Sequence, residues 1–183
     1  MRRALVVLLV ALSATGCKPR KKLTPETLEL TQKYKVQTGL AVAHYPKQML
    51  ASQVNEYVAS LRPVAFGPLD ANDELYISTN KTTATNILDE YVRILHQPFE
   101  TDMKGWTETS RRATSCLGVY AGIEITATFV GEDGKKRRYW SCTFLKAPHG
   151  YKVSYVVTEA AAKTDEAVLR KVLDATEITP LPP

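Results

Sequence analysis

The apolar positions of this chain follow different periods in different stretches, and each period predicts its own kind of element. From Tyr34 to Tyr45 the chain reads as extended, with a break at Thr38-Gly39. Leu40, Val42 and Tyr45 lead into Pro46, which ends a strand by denying the ladder a donor. Tyr57–Leu61 and Glu74–Ser78 are further short β segments, separated by Phe66-Gly67-Pro68 and the polar turn Asp70-Ala71-Asn72-Asp73. A helical period follows: Ala84, Ile87, Leu88, Tyr91 and Leu95 recur at three- and four-residue steps. The helix they predict is capped by Thr82 or Thr83, turns Asn86, Asp89, Glu90 and Arg93 to solvent, and stops at Pro98.

From Trp106 the period becomes two. Ile123, Ile125, Ala127 and Phe129 share one face of a strand, and Glu124, Thr126 and Thr128 the other. Gly131-Glu132-Asp133-Gly134 makes a hairpin connection to a return strand in which Trp140, Cys142 and Phe144 alternate with Ser141 and Thr143. After a turn at Ala147-Pro148-His149-Gly150, Tyr151, Val153, Tyr155 and Val157 line one face of the next strand. A last helix, capped by Thr164 or Asp165, buries Val168, Leu169, Val172 and Leu173 and fades before Pro180. One-sided alternation plus amphipathic helices predicts an α+β fold, a mostly antiparallel meander covered by helices.

The N-terminus has no such period. Arg2 and Arg3 precede an unbroken apolar run, Ala4 to Leu12, which closes on Ser13-Ala14-Thr15-Gly16-Cys17. That run is too short to cross a hydrocarbon layer of ~30 Å and has the shape of a removable signal. Its end resembles a bacterial lipobox, small residues ahead of a cysteine that is acylated and becomes the first residue after cleavage; Ala14 stands where leucine is commoner. A plain secretory signal cleaved near Ala14 or Gly16 is the alternative. The resemblance implies a signal over 1–16, a lipidated basic tether over 17–32 beginning at Cys17, one globular domain over 33–178 and a Pro-rich tail over 179–183. Palmitate-type chains, at about 0.8 kcal/mol per buried methylene, would then fix the protein to a membrane of the bacterial cell envelope. Lys18 after the cysteine points, by analogy with enteric bacteria, to the outer membrane and the periplasm.

Charge changes this picture by subtraction. The net charge is +5, but six of the 24 Lys+Arg lie within the first 22 residues, leaving 18 against 19 Asp+Glu. The domain is near neutral, so a nucleic-acid partner is excluded as a reading. The tether cations Lys18, Arg20, Lys21 and Lys22 would favour anionic headgroups by about 1 kcal/mol each, or merely solubilise a spacer.

Candidate chemistry is sparse. Cys116 and Cys142 are an even pair in an exported chain, which suggests a disulfide. A register count argues the other way: turns centred at Glu132-Asp133 and Val119-Tyr120 place both cysteines opposite Ile123, two strands and roughly 10 Å apart. Bonded and free thiols both stay open. His44, His96 and His149 are dispersed over a strand end, a helix C-terminus and a turn, and predict no metal site. Neither a Gly-x-Ser-x-Gly elbow nor a phosphate-cradling loop is present, and no cofactor is implied. Lys135-Lys136-Arg137-Arg138, with Arg111 and Arg112 nearby, is either an anionic docking spot or a solvated hairpin tip that resists edge aggregation. Trp106, Tyr120, Tyr139, Trp140, Tyr151 and Tyr155 read as core, although an uncovered Tyr139 face would become a partner surface.

The Leu40–Pro46 strand, the Thr83–His96 helix, the hairpin of Gly122–Val130 and Tyr139–Lys146, and the Gly150–Glu159 strand before a last helix together resemble the PsbP/DcrB-like α/β/α sandwich superfamily. The resemblance spans most of residues 33 to 178 and implies that sandwich fold. It supplies no family-wide active site. The function expected is a membrane-anchored envelope lipoprotein, non-enzymatic, acting as an accessory or interaction module for an envelope protein. The alternatives are a periplasmic hydrolase-like enzyme built from dispersed residues and a carrier of a small ligand or lipid. Carriage requires an apolar cavity between helix and sheet.

Overall fold

The structure is a computed structural model, described for residues 23–65, 67–81, 83 and 85–179. The readings placed on Cys17 and the first tether residues, on Phe66, Thr82 and Ala84, and on the tail from Pro180 lie outside these residues. The chain runs β1 (Gln32–Lys35), β2 (Ala41–Tyr45), β3 (Met49–Asn55), β4 (Val58–Pro63), β5 (Glu74–Asn80) and α1 (Leu88–Asp102). It continues through β6 (Thr107–Cys116), β7 (Tyr120–Val130), β8 (Lys136–Lys146), β9 (His149–Thr158), α2 (Ala162–Asp174) and β10 (Glu177–Ile178). Seven strands form one sheet in the order β3-β4-β5-β9-β8-β7-β6, and β1-β2-β10 form a small one. Every pairing is antiparallel. The α+β sandwich expected from the alternation is the fold.

Alternation gives the large sheet two faces. One carries Leu61, Leu75, Ile77, Val153, Tyr155, Trp140 and Phe144; with α2 and the small sheet it forms the main apolar core. The other carries Ile123, Ile125 and Ala127, and α1 lies across β7 and β8 on that side. Ser141, Thr143, Lys152 and Ser154, polar alternates of the return strands, are therefore buried under a helix instead of facing water.

The helix boundaries move from their predicted places. Thr83 does not cap α1, because its N–H and hydroxyl both donate to the Pro148 carbonyl, 3.1 and 3.4 Å away, tying it to the β8–β9 turn. The Thr85 hydroxyl accepts the Ile87 N–H, and the helix starts at Leu88. Nor does Pro98 stop it. Proline removes one donor, while Phe99, one residue on, packs on His96, Trp106 and Tyr139 and carries the helix to Asp102. The buried stripe is accordingly Tyr91, Val92 and His96, and Ile87 is exposed. Gly150 makes room for it: a Cβ there would lie 2.3 Å from the Tyr91 ring. In α2 the cap is Ala161, whose N–H goes to the Thr158 hydroxyl; Thr164 and Asp165 fall inside the first turn. Strands β3 and β10 were not predicted.

Cys116 and Cys142 are joined, with Cα atoms 5.6 Å apart. The register count failed because Cys142 lies opposite Glu124 and Cys116 opposite Tyr120, at the very end of β6. The bridge passes over Gly122 of the strand between them, where a Cβ would come within 2.4 Å of the Cys116 sulfur. A missing side chain replaces the flat two-strand spacing with a short crossing.

Candidate ligand-binding groove

Helix α1 covers only part of its side of the sheet. Between its C-terminal end, the β7–β8 turn and the uncovered strands β4 and β5 lies a groove of about 700 Å³. Tyr76, Tyr139, Lys152 and Ser154 line its floor, and Phe99, Met103 and Phe129 its α1 side. The floor residues come from three neighbouring strands because Tyr76 pairs with Ser154 and Tyr139 with Val156, so their alternates point the same way. Tyr139 itself is buried against His96, Phe99 and Trp106, and the face opens beyond it toward β4 and β5.

Most charges at the rim neutralise each other. Arg62 holds Glu74 at 2.8 Å, and Glu74 also accepts the Tyr76 hydroxyl. Burial, then that bond and the carboxylate charge, push the Tyr76 phenol up to about 12. Arg137 holds Asp133 at 2.8 Å and donates to the Asn72 carbonyl.

Lys152 is different. It sits mid-strand in β9 between Ser78 and Thr143, only 7% exposed, with its ammonium 4.7 Å from the centre of the Phe99 ring. Burial pushes its amine down to about 8. The neighbouring His96 is driven down to about 3, first by burial and then by the charges of Lys152 and Arg111, so it is neutral at physiological pH. Its Nε2 lies 3.4 Å from the Ser141 hydroxyl. Both residues are fully buried under α1, which gives this serine–histidine contact no access to a substrate. The groove can bind and orient; its polar groups are ammonium, guanidinium, carboxylate and phenol.

A second polar cluster stands on the α2 side. The Asp70 N–H donates to Asp165, the Thr158 hydroxyl donates to Asp70, and Asp73 is fully buried beside them. Burial, then the Asp165 carboxyl and the charges of Asp165 and Asp70, raise Asp73 to about 8. It holds a proton at neutral pH, beside the first turn of α2.

The residues singled out from the sequence are scattered. Arg137 turns to the groove rim, while Arg138 points to the opposite face and pairs with Glu166 at 3.2 Å. Lys135 and Lys136 stay exposed at the hairpin, Lys135 being 3.9 Å from Asp133. Arg111 and Arg112 pair with Glu108 and Glu124. His96 is not a helix-terminal cation, since it lies mid-helix and buried. His149 opens β9 instead of sitting in the turn, and His44 meets Glu177 of β10 at 3.0 Å. Among the described residues no group of three or more His, Cys, Asp or Glu is placed to hold a metal, and no helix is long and apolar enough to cross a membrane. Lys152 was missed. Its signal was a lysine at the centre of a strand whose same-face neighbours are small and polar.

No protein-family model matches this chain, and no curated protein matches it significantly. Solved structures do. The cyanobacterial PsbP (CyanoP) of Synechocystis sp. PCC 6803 matches with a TM-score of 0.60 at 9% identity, over 81% of this chain and 92% of that one. LpqN of Mycobacterium tuberculosis, involved in cell envelope biogenesis, matches with a TM-score of 0.54 at 13% identity, over 76% and 83%. PA94 of Pseudomonas aeruginosa, of unknown function, matches with a TM-score of 0.51 at 15% identity, over 74% and 99%. At such identities the likeness is one of fold: the chain is a PsbP-like sandwich.

Proposed function

We propose that this protein is an accessory module of the bacterial cell envelope, anchored by lipid on Cys17 at the outer membrane and facing the periplasm, that works by binding. The open groove carries this reading: it offers aromatic walls and fixed charges, and the Ser141–His96 contact near it is sealed. The envelope setting draws on the lipobox-like end at Cys17 and on the role of LpqN, a protein of like fold, in envelope biogenesis. A groove of about 700 Å³ also falls within the size range of small-molecule sites, and so favours ligand carriage over a flat protein-docking surface.

The anchor is tested by growing cells with labelled palmitate. Label on the wild-type chain, its loss in Cys17→Ala and the release of that variant from membranes are the expected results. Unlabelled wild-type protein that is freely soluble in the periplasm would overturn the anchor. Retained hydrolase activity in a purified preparation, abolished by His96→Asn, would overturn the binding role.

A further inference from the structure

We propose that the groove binds a small hydrophobic carboxylate, its charged end on the Lys152 ammonium and its apolar body against Phe99, Met103 and Phe129. This rests on the reading of the groove as a binding site and is independent of the anchor. Lys152 lines the groove, is 7% exposed, and has no carboxylate within 4.0 Å among the described residues; its close contact is the Phe99 ring. A cation–π contact offsets only part of what an ammonium loses on leaving water. The cations on either side are not free to share its role, because Arg62 and Arg137 are held by Glu74 and Asp133.

That arithmetic of charge selects the ligand. Lys152 is the positive charge on the floor that no acid holds and matches a monoanion, whereas a phosphate dianion would bring a second negative charge toward the three acids of the lining, Glu74, Glu132 and Asp133. The donors that stand beside the ammonium on the floor are neutral hydroxyls, those of Ser78, Ser154 and Tyr139, while the Tyr76 hydroxyl is held by Glu74. The walls contribute ring and thioether surface, so the rest of the ligand is apolar. The volume accommodates a small molecule and not a folded partner.

The test is calorimetric titration of the full chain with 3-phenylpropionate and, as an uncharged match, 3-phenylpropionamide. The expected result is a preference of about tenfold or more for the carboxylate, the size of one charge-assisted hydrogen bond. Lys152→Met should bring the carboxylate down to the level of the amide. In the wild type, carboxylate should also protect Lys152 from an amine-reactive ester, read by peptide mass spectrometry, which keeps the proposal testable if the variant fails to fold. Equal binding of both compounds to wild type would overturn the carboxylate assignment and leave the groove as a neutral apolar site. Binding of neither, with Lys152 labelled at the same rate throughout, would overturn the groove as well.

Discussion

Glu124 and Lys152 lie at the same depth in one sheet, 6% and 7% exposed, on opposite faces, and only Glu124 is paired. Arg112 reaches it at 2.7 Å and Arg170 at 3.1 Å, and the Arg170 guanidinium rests 3.6 Å above the Trp140 ring. Burial pushes the Glu124 carboxyl up, but its hydrogen bonds and the two arginines outweigh burial and hold it below its ordinary range. On the α2 face the remaining buried acids are likewise answered, Asp165 by the Asp70 N–H and the Thr164 hydroxyl, Asp73 by a proton. On the α1 face Lys152 has a ring for company and His96 has given up its charge. One face has its buried charges paired or neutralised on folding. The other is left incomplete where it borders a groove, and that asymmetry separates the half of the molecule that supplies stability from the half suited to recognition.

The largest break in this contrast should come from the α2 face. Phe144 is fully buried, stacked at 4.7 Å on Tyr120 and 5.0 Å on Tyr151. Phe144→Ala should lower unfolding free energy by about 3–5 kcal/mol in urea titrations. Phe99→Ala, at the half-covered groove wall, should lower it by less than half as much. Equal losses would mean that the two faces carry the fold alike.

Reducing the disulfide comes next. The bridged residues are 26 apart in sequence, and closing a loop of that length is worth roughly 3 kcal/mol. The loss should appear in denaturation with and without reductant. Gly122→Ala should mimic part of it in the oxidised protein, because the new methyl would meet both the Cys116 sulfur and the Thr143 carbonyl, 2.6 Å away.

The same asymmetry decides what could be read from the sequence. Strands β8 and β9 were legible because Trp140, Cys142 and Phe144, and Tyr151, Val153 and Tyr155, make an apolar α2-side stripe that leaves one register, and β7 was legible from Ile123, Ile125, Ala127 and Phe129 on its α1 side. The α1 side was misread for the same reason: Ser141, Thr143, Lys152 and Ser154 look like solvent positions, and only the path of α1 shows that they are covered. Edge strand β3 buries Met49 and little else, so it carried almost no pattern. The disulfide was suggested by the even cysteine pair but left open, because its crossing depends on the absent side chain of Gly122, which a flat register count cannot include. Thr83 lost its predicted cap to a carbonyl 65 residues away. The groove charges depend on which of Arg62, Arg137 and Lys152 meets an acid, and that follows from strand order and not from local sequence.

Titration offers a way to see both faces at once, with opposite signs. Asp73 is raised to about 8 in the folded state, so the native protein binds the extra proton, and its contribution, complete at acid pH, is lost as pH rises toward 8. His96 is lowered to about 3, so its contribution is complete above its ordinary value near 6.5 and is lost as pH falls. The two oppose each other at mildly acid pH. Between about 6.5 and 8 Asp73 acts without His96, and stability should fall by about 2 kcal/mol at most. Asp73→Asn should flatten that limb while leaving the acid limb in place, and His96→Asn should do the reverse. An unchanged profile in either variant would remove the corresponding buried group from the contrast.

The smallest effect is the most pointed, because its sign is the reverse of what a core substitution normally gives. Lys152→Met keeps the straight side chain over Phe99 and removes the unpaired charge. Burial holds the Lys152 amine near 8, below its unfolded value of about 10.4, so the folded state resists the proton that the unfolded chain accepts. That stability term is present at high pH and is lost as pH falls from about 10 through 8. Replacing the lysine should therefore stabilise the protein by about 1 kcal/mol at pH 7, after the lost cation–π contact is set against the relieved burial, and the gain should shrink above pH 8. Glu124→Gln, its counterpart across the sheet, should destabilise, since it removes the carboxylate charge that pairs both Arg112 and Arg170. Thermal or urea unfolding of both variants at two pH values reads the comparison directly. A destabilised Lys152→Met at neutral pH would mean that the ammonium is already satisfied in the folded chain and that the two faces do not differ in the way their geometry implies.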